Sequence, residues 1–167
     1  MDIRGTNIFG GNYRDLVPVT ALYAFTTFQF TNGNSVGNTG PTISQLNYSN
    51  VGNTWLDNTS YFNVVTRGIQ LWTVPETASY NITVVGAGGG NNLAGASAGN
   101  VGGAGALITT TVSLTQGQQL AIVVGQRGQD RSNVNSQSLT LIGASGGGGT
   151  FVYDAANVVY YAVAGGG

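Results

Sequence analysis

Few residues in this chain have types and spacing that could do chemistry. The stretch ITVVGAGGG (residues 82–90) runs a strand-like segment into a glycine-rich turn, as a dinucleotide-binding loop does. That loop would need glycine at position 91, where Asn91 stands, then a helix to receive the pyrophosphate and an acidic residue about 20 positions on. The following residues are too rich in glycine and asparagine to start such a helix, and a P-loop is excluded because the chain has no Lys. No cofactor is expected. The carboxylates Asp57, Glu76, Asp130 and Asp154 would suit glycoside hydrolysis only if two converged, and they fall in separate loops. With no His and no Cys, the common general base, thiol nucleophile and zinc ligands are missing together. The expectation is a protein that is not an enzyme, with no catalytic residue and no metal site.

Three other features bear on recognition. Trp55, Trp72 and the eight Tyr could form a glycan-stacking or protein-binding surface. Trp72 lies on a patterned strand and reads as core, whereas Trp55 is balanced between loop anchor and contact residue. Arg127-Gly128-Gln129-Asp130-Arg131 reads as a salt-bridged loop. Asn47-Tyr-Ser, Asn58-Thr-Ser and Asn81-Ile-Thr are formal N-glycosylation sequons, meaningful only for a chain that enters a secretory pathway.

Composition narrows the setting. The 167 residues suffice for one domain with a core, and 41% are apolar, so glycine content alone does not make this chain disordered. Only 7% are charged, against about 25% in an average soluble protein. The surface must be made of Asn, Thr, Ser, Gln and Gly. A net charge of −1 leaves no basic footprint for nucleic acid. Apolar runs are far short of a helical membrane span, and residues 1–11 lack the basic-then-apolar pattern of a secretory leader.

The elements that must position these residues read as β-strands. Residues 1–22 form an N-terminal anchoring arm, polar and glycine-broken before LVPVTALY, and residues 23–167 form the domain proper. Strands are expected at 23–31, 61–65, 69–74, 80–85, 106–114, 119–124, 139–142, 150–153 and 158–163, with one helical turn at 42–46. Residues 75–79, 115–118 and 154–157 are hairpin-length connections, and 125–137 is a polar loop. On the fourth and third of these strands Tyr80, Ile82 and Val84 share one face, as do Trp72 and Val74, and these five are the expected core. No sustained helical period occurs, so the fold class is all-β, most economically a sandwich.

Glycine dominates the rest. Residues 86–105 hold nine glycines in twenty positions, and residues 143–149 and 165–167 echo them, each run beside a strand. A floppy linker is one reading. Packed polyproline-II helices are another: glycine enters that three-residue-per-turn helix, and bare backbones can approach closely. Recurrence beside strands favours the second. It gives Gly86, Gly88, Gly89, Gly90, Gly102, Gly103, Gly105, Gly146, Gly147, Gly148, Gly149, Gly165, Gly166 and Gly167 one role, as a structural glycine bundle.

Residues 68–90 (GIQLWTVPETASYNITVVGAGGG), 120–130 (LAIVVGQRGQD) and 146–167 (GGGGTFVYDAANVVYYAVAGGG) together resemble the glycine-rich domain of the anaplastic lymphoma kinase and leukocyte tyrosine kinase receptors. Residues 25–45 are similar to the opening of that domain. The resemblance implies a tumour-necrosis-factor-like β-sandwich with glycine polyproline-II helices inserted between strands, continuing beyond residue 167. The receptors' cysteines are absent, and no ligand site is carried over. The same motifs resemble glycine-rich fibre and adhesin proteins of phages and other viruses. The leading expectation is therefore a virion structural protein, a fibre, spike or adhesin subunit. It would be homo-oligomeric, a trimer by analogy, held to other virion proteins through residues 1–22 and facing a host receptor or glycan. The alternative is a secreted or cell-surface recognition domain for a protein or glycan ligand.

Overall fold

The computed structural model describes residues 20–46, 53–92, 99–131 and 143–167. Their regular structure is almost all strand: β1 (Phe62–Asn63), β2 (Gln70–Thr73), β3 (Ala78–Val85), β4 (Leu107–Leu114), β5 (Gln119–Val123), β6 (Thr150–Asp154) and β7 (Tyr160–Ala164). A single helical turn, α1 (Ile43–Leu46), is capped by Gln45, whose Oε1 accepts the Thr42 N–H at 2.9 Å. A 3₁₀ turn spans Thr54–Asp57. The strands form two antiparallel sheets, one of five in the order β1-β2-β5-β6-β7 and a β3-β4 ribbon.

Neither of the two expected hairpins at 69–85 and 106–124 forms. Strand β2 pairs with β5 and β3 with β4, so both connections carry the chain from one sheet to the other. They cross side by side and bond to each other: Val74 N–H donates to the Gln118 carbonyl and Gly117 N–H to that of Val74, each at 2.9 Å. The Gln116 amide then donates to the Pro75 and Thr20 carbonyls. A two-stranded ribbon bent across two sheets is how double-sheet jelly rolls are built. Loop length suggested a hairpin because local spacing does not encode which of two alternating strands finds which partner. The third hairpin does form, β6 to β7, turning at Asp154, whose Oδ1 accepts the Ala156 and Asn157 N–H groups at 2.9 Å.

Residues 23–31 are a second correction. They form no strand; the segment lies along the core and inserts Tyr23, Phe25, Phe28 and Phe30. Positions 25 and 28 are three apart, a spacing no extended strand can aim at one face. Polar ties hold the segment instead. The Tyr23 hydroxyl donates to the Thr73 carbonyl, and the fully buried Gln70 donates its amide to the Thr31 carbonyl at 2.8 Å. Burial pushes the Tyr23 phenol well above its ordinary pKa, so it stays a donor. The expected strand at 61–65 shortens to β1. The one at 139–142 lies outside the described residues, as do residues 1–19 of the expected arm; Leu22 bonds the Pro75 carbonyl at 2.8 Å.

Between the sheets Trp72, Val74 and Val84 are buried with Leu114, Leu120, Ile122 and Val152, while Tyr80 and Ile82 are half-buried against them. Trp55 is 3% exposed and stacks on Tyr23 with ring centroids 5.3 Å apart, which makes it a core anchor, not a contact residue. Trp72 meets Phe25, Phe30 and Tyr80 at centroid distances of 5.1, 6.2 and 5.7 Å. Trp72→Ala should therefore cost about 3–5 kcal/mol, because few neighbours can collapse into the space. The check is the urea midpoint, and a loss under about 1 kcal/mol would mean that the cluster is not the core.

Candidate functional site: the glycine bundle and its groove

From the ends of the strands the backbone continues as glycine-rich segments that pack on one another. Residues 86–92 leave β3 and become the hub. Their donors Gly86, Gly89 and Asn92 bond the carbonyls of Ala106, Gly103 and Asn100 at 2.8–2.9 Å. Ala87 and Gly90 bond those of Gly148 and Ser145, at 2.9 and 2.8 Å. The Gly88 and Asn91 carbonyls accept from Gly128 and Arg131, and the Ala87 carbonyl accepts from Gly167. Three of the neighbours are thus each addressed by every third hub residue. Four segments, 100–106, 125–131, 143–149 and 165–167, surround the hub.

At most of the glycines this spacing leaves no room for a side chain. A Cβ on Gly86 would overlap the Gly165 carbonyl, and one on Gly147 would overlap that of Ala87. Backbone would be struck in the same way at Gly90, Gly102, Gly105, Gly166 and Gly167. At Gly88, Gly89, Gly103, Gly146, Gly148 and Gly149 the nearest atoms stand at 3.0–3.4 Å, and at Gly165 nothing lies within 4 Å. Gly125 and Gly128 belong to the same packing: a Cβ would strike the carbonyls of Gly148 and Ser145. Residues 125–131 are thus part of the bundle, not the start of a polar loop, and their G-x-x-G spacing was the available signal.

Side chains lock the bundle to the sheets. Thr150 at the start of β6 is buried; its Oγ1 donates to the Val85 carbonyl at 2.6 Å and accepts the Gly125 N–H at 3.0 Å. Asp130 Oδ1 takes Arg127 Nη2 at 2.7 Å and the Asn91 N–H at 2.6 Å, so the expected salt bridge also ties 125–131 to the hub. Asn91 Oδ1 in turn accepts the Gly102 N–H at 3.0 Å. No helix follows residues 86–92 within the described residues. Nor do three or more His, Cys, Asp or Glu converge among the described residues.

Beside the bundle runs an open groove of about 520 Å³. Its walls are the 125–129 and 145–149 backbones, with Gly37 and Asn38 at the rim. Most backbone N–H groups along it, those of Gly125, Gly128, Gln129, Ser145, Gly147 and Gly148, are spent within the bundle and on Thr150. Its hydrogen-bonding character comes from carbonyls, Gln129, Ser145 and the half-exposed Arg127, beside the apolar Val123 and Val124 and without a carboxylate. Two of the sequons are described: Asn58 and Asn81 are exposed, Asn58 accepting the Ser60 N–H and Asn81 the Thr111 hydroxyl.

The family model of the glycine-rich domain matches residues 64–167, from just after β1 through the last segment of the bundle. This chain belongs to that family. The glycine-rich domain is also 32% identical over 116 residues to the mouse (Mus musculus) leukocyte tyrosine kinase receptor, an alignment covering 66% of this chain. The chain spans only 12% of that receptor's length.

Two expectations test the bundle. Gly147→Ala should cost on the order of 1–3 kcal/mol or more by overpacking the hub, while Gly165→Ala should stay within about 0.5 kcal/mol. Denaturant titration of both decides it, and equal losses would overturn the bundle geometry. The Arg127 guanidinium, then the Asn91 N–H, hold the Asp130 carboxyl below its ordinary pKa. Its contribution is whole above about pH 4 and is lost as pH falls through the lowered value. Asp154, held low by the Gln118 amide and the Asn157 and Ala156 N–H groups, has the same sign. The thermal midpoint should fall below about pH 4, and less steeply in Asp130→Asn.

Proposed function

We propose that this glycine-rich domain is a non-enzymatic recognition module of the cell exterior, secreted or displayed on a surface, that binds a protein or glycan ligand. What carries the reading is the match to a receptor over an alignment of 116 residues, 66% of this chain. It supports the recognition module over the virion fibre. The uncharged Asn, Thr, Ser and Gly surface suits that setting. The groove beside the bundle supplies the chemistry: an open trough of carbonyls with the Gln129, Ser145 and Arg127 side chains, which can hydrogen-bond a saccharide or an extended peptide. The three-residue bonding repeat supports reading the glycine segments as a polyproline-II bundle. The bent two-sheet ribbon supports a tumour-necrosis-factor-like layout for the sandwich. Together they would make a stiff, protease-resistant platform.

The test has two arms. In cells that express the native gene, surface biotinylation and sugar occupancy at Asn58 and Asn81 should place the chain outside; exclusive recovery from the cytoplasm would overturn the setting. A tetramerised, labelled domain should stain cell surfaces, and Asn38→Trp, which narrows the groove, should weaken staining at least tenfold. Protease pretreatment abolishing the signal identifies a protein ligand, and glycosidase pretreatment a glycan. Staining unchanged by Asn38→Trp, or none at all, would overturn the groove as the site.

A further inference from the structure

Alternation along the five-stranded sheet sends Trp72, Leu120, Ile122, Val152 and Ala162 inward. The residues between them face away from the core. Leu71, Ala121, Tyr153 and Tyr160 lie in one row across β2, β5, β6 and β7, and Val123, Phe151 and Val163 in the next. The outer positions of these strands carry no charged side chain; beyond the apolar rows they are Asn63, Thr73 and Gln119. An antiparallel sheet that faces water normally alternates apolar inward with polar outward. The β3-β4 ribbon of this chain does so along most of its length, showing Ser79, Asn81, Thr83, Thr109, Thr111 and Ser113 outward, with Val85 and Leu107 as the apolar pair at its end. The five-stranded sheet breaks that rule.

The row has a hole and a knob. Ala121 is small between Leu71 and Tyr153, and over it opens a cavity of about 210 Å³ walled by Val65, Ile69, Leu71 and Tyr153. A cavity of roughly 150 Å³ accommodates benzene, so the volume over the buried Ala121 suffices for a phenol ring. Two strands away in the same row, Tyr160 stands 56% exposed on the edge strand, its ring 5.4 Å from that of Tyr153 and 6.4 Å from that of Phe151. In the sheet order β5 and β7 flank β6, one strand to each side.

From this arrangement we propose that the outer face of the five-stranded sheet is an isologous interface with a second copy of this chain, Tyr160 of each copy entering the Ala121 cavity of the other. A two-fold axis along β6 exchanges the positions of β5 and β7, and because Ala121, Tyr153 and Tyr160 share a row, knob and hole meet at one height. The two sheets stack aligned, about 10 Å apart. A single surface serves both partners, as a two-fold interface requires. With no charge on the face, two copies meet without like-charge repulsion. With the axis along β6, only β5, β6 and β7 lie over their counterparts. Three strands at ~4.8 Å, four residues long at ~3.3 Å, give with side-chain relief roughly 300 Å² per copy. Two copies thus bury about 600 Å², the size of a weak, transient contact, so the dimer is a weak and reversible one. The proposal does not depend on what the groove binds.

Sedimentation equilibrium across 1–200 μM protein is the test. The expected result is a reversible approach to twice 17.1 kDa. Tyr160→Arg and, independently, Val65→Arg at the cavity rim should each shift the dissociation constant upward at least tenfold. Val65 is 75% exposed, so its replacement does not threaten folding. Thr109→Arg on the polar ribbon face should leave association unchanged. A monomer throughout, a trimer, or a dimer indifferent to both arginines would overturn the proposal, with circular dichroism confirming that each variant is folded.

Discussion

The structure depends on backbone meeting backbone with nothing between. In an ordinary sandwich, side chains fill the space between layers and peptide groups bond only along the sheets. Here the segments that leave the strands are stripped to glycine and pack at a distance set by the peptide groups themselves, so the hydrogen bonds of the hub point to several neighbours in turn. Ordering so much glycine is entropically costly. What offsets the cost is that the hub's N–H and C=O groups find partners they could find no other way at that density. The bundle is thus an all-or-none arrangement of peptide groups, and the sheets act as the frame that delivers five segments to one place.

Delivery is the work of a few side chains at the frame's edges. Thr150 joins the end of β3, the start of β6 and the segment at Gly125 through one hydroxyl. At the opposite end the two sheet-to-sheet crossings are stitched by Gln116 and Gln118, the latter giving its amide to Asp154 at 2.6 Å and to the Tyr161 hydroxyl at 2.7 Å. With the aromatic cluster between them, these ties fix both ends of the β3-β4 ribbon against the larger sheet. In a chain with so few charges, side-chain amides and hydroxyls take the place that ion pairs hold elsewhere.

Much of this was legible in the sequence, and the failures have physical causes. Alternation along Tyr80, Ile82 and Val84 identified a half-buried strand because a two-residue period is a local property. Which strand it joined was not local: eight pairs between β3 and β4 outcompete a five-residue turn back to β2, and nothing in residues 75–79 announces that. The aromatic segment 23–31 looked like a strand because Phe28 and Phe30 alternate. Phe25 breaks the alternation, and the segment serves the core through its rings alone. Long glycine runs marked the bundle, but Gly125 and Gly128, single glycines three apart, went unread because composition does not register a spacing. The groove was not legible at all, being walled by backbone from segments distant in sequence.

The position of the hub has a consequence for how the chain comes to be folded. Residue 87 bonds to residue 167, residue 86 to residue 106 and residue 90 to residue 145, so the hub emerges from synthesis long before the segments that enclose it. Contacts of such sequence separation are closed slowly. Until the last strand and the glycines after it are made, residues 86–92 are a naked polypeptide with open peptide groups beside an unfinished sheet. The domain can therefore complete itself only from its distal end, and the interval before that is when its unpaired edges are most open to the wrong partner.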